Sequence, residues 1–96
     1  METSEFEALL RAEGYDVLVR KLDADIVVPE HEHAWDVHAL ILEGEFTITT
    51  ETGNTTHRAG DTFRLAAGVR HRERHGPDGV RLLLGRRHTK TSEGNE

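Results

Sequence analysis

The sequence predicts an all-β sandwich or barrel that carries one short helix at its N-terminus. Three observations predict it. Helical periodicity is confined to the first fourteen residues. From Tyr15 onward short β-type runs follow one another, and Gly44, Gly53-Asn54, Gly60-Asp61, Gly68 and Gly76-Pro77-Asp78-Gly79 punctuate them. Close-spaced short strands with turn signals are the mark of a sandwich or barrel. Finally, 96 residues suffice for one domain and no more.

The elements follow in order. In "SEFEALLRAE", Phe6, Leu9 and Leu10 share a helical face, Ser4 with Glu7 reads as a capping box, and Gly14 as the stop. The expected strands are "YDVLVRKL", "ADIVVPE", "VHALIL", "EFTITTE", "TTHRA", "DTFRLA", "VRHRERH" and "GVRLLLGRR". Phe46, Ile48, Phe63, Leu65, Leu82 and Leu84 alternate as core residues do. The organisation expected is a helix over residues 1–14 packed on a barrel of residues 15–87, then a fraying tail of residues 88–96 without an apolar anchor.

Composition excludes several functions. With no cysteine there is no disulfide framework, zinc ribbon or thiol nucleophile. The N-terminus has no basic stretch followed by an apolar one, and no apolar run reaches the roughly 20 residues that span a bilayer. A cytoplasmic protein without a membrane partner is expected. The net charge of −6 argues against nucleic acid. Arg70, Arg72 and Arg74, and the adjacent Arg86 and Arg87, are therefore expected in salt bridges or facing an acidic partner.

Chemistry concentrates in "PEHEHAWDVHALILEGEF", which places His31, His33 and His38 within eight positions. If "PEHEH" is extended, His31 and His33 point together, since strand side chains two apart share a face. In "VRHRERH" the same period puts His71, Glu73 and His75 on one face and three arginines on the other. Polar groups on an inward face need a partner, and a metal or polar ligand would supply it.

Both segments resemble the motifs of a known family. "HEHAWDVHALILEG" is similar to the first motif of small single-domain cupins, and "GDTFRLAAGVRHRERH" to the second, with Gly60, Gly68 and His71 in register. The resemblance runs from about Tyr15 to Arg87 and implies a double-stranded β-helix, or jelly-roll barrel. Three departures stand out. Asp25 occupies the glycine slot six residues before His31, Ala66 the proline slot, and His75 the asparagine slot. The first motif's glutamate is also missing: its slot falls on Val37 counted from Gly44, or on His38 counted from His33. If Gly44 fixes a hairpin, Val37 takes the slot and His38 points outward. If His38 faces inward, it is a candidate fourth ligand.

The expected metal ligands are therefore His31, His33 and His71, with His38 in question. Imidazole suits zinc, copper, iron and nickel, so the expected cofactor is a divalent transition metal (Fe, Zn, Ni or Mn) left unnamed by ligand type. Three histidines leave coordination positions open for water, oxygen or substrate. The resemblance implies iron(II) dioxygenases of thiols and diketones, which use three histidines without glutamate. A non-catalytic module that binds a metal or small ligand is the competing reading. Glu73 and His75 are candidates for orienting a ligand or for acid–base work, unless they stand in water at the mouth. Trp35 either caps the pocket or packs outside the sheet. His57 is expected exposed, His88 in the tail, and Asp61 in a turn. The apolar "HALIL" and "VRLLL" exceed one small core, and the resemblance implies a homodimer.

Overall fold

The computed structural model describes residues 2–88. Helix α1 spans Thr3–Ala12, so Ser4 lies inside it rather than at its cap. The Glu2 backbone N–H donates to Glu5 Oε1 at 3.2 Å. Glu7 is instead drawn to Arg11 one turn on, at 2.8 Å, because i,i+4 opposite charges are neighbours on a helix. At the C-terminus Gly14 takes φ +83°. Its N–H donates to the Arg11 carbonyl, and that of Tyr15 to Leu10, which satisfies carbonyls a helix end leaves open.

The eight expected runs form six strands: β1 (Asp16–Leu22), β2 (Val27–His31), β3 (Trp35–Thr50), β4 (Gly53–Arg58), β5 (Thr62–Leu65) and β6 (His71–His88). The reduction arises because "VHALIL" and "EFTITTE" are one strand, as are "VRHRERH" and "GVRLLLGRR". Gly44 and Gly76–Gly79 are bulges rather than hairpins: the β3–β6 register passes from Gly44↔Val80 to Phe46↔His75. Gly44 and Gly79 hold φ +86° and +76°. A Cβ on Gly44 would overlap the Gly79 carbonyl oxygen, so the bend needs glycine on sterics alone.

Bending this antiparallel pair creates two sheets. One runs β1–β6–β3–β5 through the C-terminal half of β6 and the N-terminal half of β3. The other runs β2–β6–β3–β4 through the remaining halves. The result is a jelly-roll barrel. Its interior holds Val37, Ala39, Ile41, Phe46, Ile48, Phe63, Val80 and Leu82, with Leu65 and Leu84 at the margin.

Leu40 and Leu83, on the outer face of the first sheet, pack with Phe6, Leu10 and Tyr15. The apolar surplus of "HALIL" and "VRLLL", one of two grounds for expecting a dimer beside the resemblance, is thus packed against α1 within the chain. Arg87 fastens the helix further, donating to the Glu13 carbonyl at 2.8 Å and lying 4.4 Å over the Tyr15 ring. His88 ends β6, opposite Trp35, and residues 89–96 of the expected tail lie outside the described residues. No helix among them is long and apolar enough to cross a membrane.

Candidate metal centre

His31 and His71 are cross-strand partners on β2 and β6, which explains why residues so far apart in sequence bring their rings to 4.3 Å. The strand stops at His31, because the Pro29 region bulges and residues 32–34 leave the sheet. His33 nevertheless turns its ring toward the same point, 5.2 Å from that of His71. The Gly68 N–H donates to the His33 carbonyl at 2.9 Å, so the turn of the second motif holds the loop of the first. Ala67 N–H, donating to Asp36 Oδ1 at 2.9 Å, adds a second tie.

Glu73 completes the group. One ligand atom from each of His31, His33, His71 and Glu73 lies within 4.8 Å of all the others. Glu73 Oε2 is 3.3 Å from His31 Nε2 and 3.2 Å from His71 Nε2. Each of these imidazoles has its Nδ1 on a backbone carbonyl, Pro29 at 2.8 Å and Val69 at 2.9 Å. A carbonyl can only accept, so each Nδ1 carries the proton and each neutral ring presents a lone pair at Nε2. Those lone pairs face the Glu73 carboxyl group, whose oxygens as a carboxylate can only accept. Acceptor against acceptor at this distance is repulsive, and a cation at the centre reverses the sign. Two imidazolium ions would also satisfy Glu73, at the cost of two adjacent positive charges in a largely buried site. A divalent ion satisfies all four groups at once, so the donor set fits a metal.

His33 is held below the ordinary histidine pKa of 6.5, by burial first and then by His31 and His71. It is therefore neutral near pH 7, the state a metal ligand needs.

The other candidates separate clearly. His38 is not in the group. It points outward with Leu40, edge-on to Phe6 at 4.9 Å and to Tyr15 at 6.0 Å, while Val37 faces the interior core. Strand parity is the reason: one residue decides the face. His75 lies inside, with Nδ1 donating to the Asp23 carbonyl at 2.9 Å and the ring stacked on Phe46 at 5.7 Å. Its Nε2 is buried without a hydrogen-bond partner among the described residues, 3.9 Å from Glu73 Oε1. Trp35 stacks on His33 at 4.9 Å and lines the cavity. His57, expected exposed, is half-buried against Phe63 at 5.0 Å, with its pKa lowered by burial. Asp61 closes its turn by accepting from the Arg58 N–H at 2.8 Å. On the outer face Arg70 pairs with Glu30 and Glu32.

Beside the four ligand groups lies a cavity of about 330 Å³ with mainly apolar walls, among them Leu22, Val28, Leu65 and Leu84. Arg20 and Arg86 also line it. Sequence reasoning passed over Arg20, although an arginine two residues from an inward leucine on a strand is a legible signal; of the adjacent pair expected in salt bridges, Arg87 meets Asp36 while Arg86 makes no ion pair among the described residues.

No protein-family model matches the chain, and no curated protein does. Solved structures do match. A cupin-2 domain-containing protein from Shewanella frigidimarina shares 23% identity over 77% of this chain and 71% of its own, with a TM-score of 0.65. The chain has a cupin fold. A cupin protein from Bacteroides fragilis aligns at 25% identity over 86% of this chain and 73% of its own length, with a TM-score of 0.62. The DMSP lyase DddQ from Ruegeria pomeroyi aligns at 21% identity and a TM-score of 0.69, over 82% of this chain but 41% of the lyase.

Proposed function

We propose that this cupin binds one divalent transition metal through His31, His33, His71 and Glu73, and binds or transforms a small molecule in the adjoining cavity. The observation that carries the reading is the pair of tautomer-locked imidazoles facing one carboxylate. Glu73 replaces, from the second motif, the carboxylate the first motif lacks. The bound metal would supply a Lewis-acidic centre, or with iron(II) a redox centre able to use oxygen. The chain's own part is to hold that centre with neutral imidazoles, exclude water with the apolar walls, and present the His75 Nε2 to the substrate as a hydrogen-bonding group.

Elemental analysis of protein made without a polyhistidine tag tests the metal: about one equivalent per chain is expected. His71→Ala and Glu73→Gln should each lose most of it, and unchanged content in both would sink the reading. The narrower dioxygenase reading rests on three imidazoles beside a cavity with mainly apolar walls. It predicts oxygen uptake by iron-loaded protein with a thiol or a diketone. Metal binding without such uptake favours a non-catalytic binding module.

A further inference from the structure

Two arginines, Arg20 and Arg86, line the cavity and make no ion pair among the described residues, although Asp16 stands opposite Arg86 across the strands. Arg20 on β1 is two residues from Leu22, and Arg86 on β6 is two residues from Leu84. Both leucines pack against the interior core, so the period of the strand turns both arginines to the same interior. Among the described residues neither makes an ion pair or a side-chain hydrogen bond, whereas Arg58, Arg70, Arg81 and Arg87 each meet a carboxylate. The chain carries 18 acidic residues against 12 basic ones, so carboxylates are not scarce. The one acidic side chain on this cavity, Glu73, is engaged by the imidazoles.

Arg86 lies 5.2 Å over the Trp35 ring, and Trp35 stacks on His33. One indole therefore separates a guanidinium from a metal-ligating imidazole. Arg20 is exposed and Arg86 half-buried, so the two guanidiniums line the cavity where it meets water, within reach of an entering anion. The planar fork of a guanidinium matches a carboxylate with two parallel hydrogen bonds.

From this arrangement we propose that the cavity takes a short-chain organic carboxylate. Arg20 and Arg86 hold its carboxylate at the mouth, its chain lies against Trp35 and the leucines, and its far end is turned to the metal group. This deepens the proposed function by naming the ligand class of the same cavity, and it rests on that reading only for the far end.

Metal-free protein is the material for the test, so that metal binding and carboxylate binding are judged separately. Trp35 is the only tryptophan, and its fluorescence reports on the site directly. Titration with acetate through hexanoate, succinate and glutarate, beside the matching neutral amides, should give saturable changes for at least one acid. Its amide should bind about tenfold more weakly or worse. Arg20→Gln and Arg86→Gln should each weaken the acid by about tenfold or more, with an unchanged circular dichroism spectrum and, on reloading, unchanged metal content. Calorimetry replaces fluorescence for the Arg86 variants, and Arg86→Lys should recover part of the loss. The inference is overturned if no acid binds below about 10 mM, if amides bind as well as acids, or if both glutamine variants bind like the parent. Metal binding without carboxylate binding sinks this inference alone. Carboxylate binding without metal sinks only the metal centre.

Discussion

His38 and His71 are both buried histidines, and their neighbours give them opposite roles. His71 has a carbonyl for Nδ1 and a carboxylate before Nε2. His38 has aromatic edges around it, and its Nδ1 is buried without a partner among the described residues. Its pKa lies below the ordinary 6.5, through burial first and then the nearby Arg64. A histidine whose folded pKa is depressed binds fewer protons folded than unfolded. Stability is therefore full above pH 6.5 and is lost as pH falls from there through the lowered folded value. His38→Leu removes both the orphan nitrogen and this term. The variant should gain about 1 kcal/mol at neutral pH and more at pH 5.5 in urea denaturation, with its metal content intact. A loss of metal would return His38 to the ligand set.

Strand continuity depends on a few backbone positions. Gly44 and Gly79 let β3 and β6 bend together, and only the absence of a Cβ allows that approach. Asp25 is the one non-glycine with positive φ among the described residues, at +58°. It stands in the glycine slot of the motif the sequence resembles, and here a left-handed turn is carried by a residue that tolerates it. Aspartate does so better than most, yet the conformation still strains an L-residue. The Asp25 side chain makes no hydrogen bond among the described residues, so replacing it forfeits none. Asp25→Gly should raise stability by about 0.5 kcal/mol in urea denaturation, the relief of strain slightly exceeding the added chain entropy. A loss above that size would show that the carboxylate has a structural role.

Across the whole molecule, the four candidate ligand groups stand on elements joined by sheet hydrogen bonds and by the Glu30 pairs with Arg70 and Arg72 on the outer face. β2 pairs with β6 over a bulged register, and His33 sits beyond its end. A metal held by His31, His33, His71 and Glu73 would clip this margin to the centre of the barrel. A ligand that binds only the folded chain, present at about a thousand times its Kd, adds about 4 kcal/mol. For a chain of this size that is a Tm shift of roughly 15–30 °C. Chelation should lower the midpoint by an amount of this order, measured by calorimetry, and Glu73→Gln should abolish the difference between stripped and loaded protein. An unchanged midpoint on stripping would argue against a bridging ion.

The sequence by itself determined the barrel, its glycine punctuation and the inward histidines. Strand periodicity is local, and Gly60, Gly68, His31, His33 and His71 carry spacing that chain order preserves. It left open which face His38 takes, because a step of one residue reverses a strand's face and only packing against α1 settles it. It also placed Glu73 merely near the site. Its entry among the imidazoles depends on β2 lying beside β6 with His31 opposite His71, a pairing between distant segments that no local pattern encodes. The same holds for Arg20 and Arg86: their alternation was readable, but only the closed barrel aims both at one cavity.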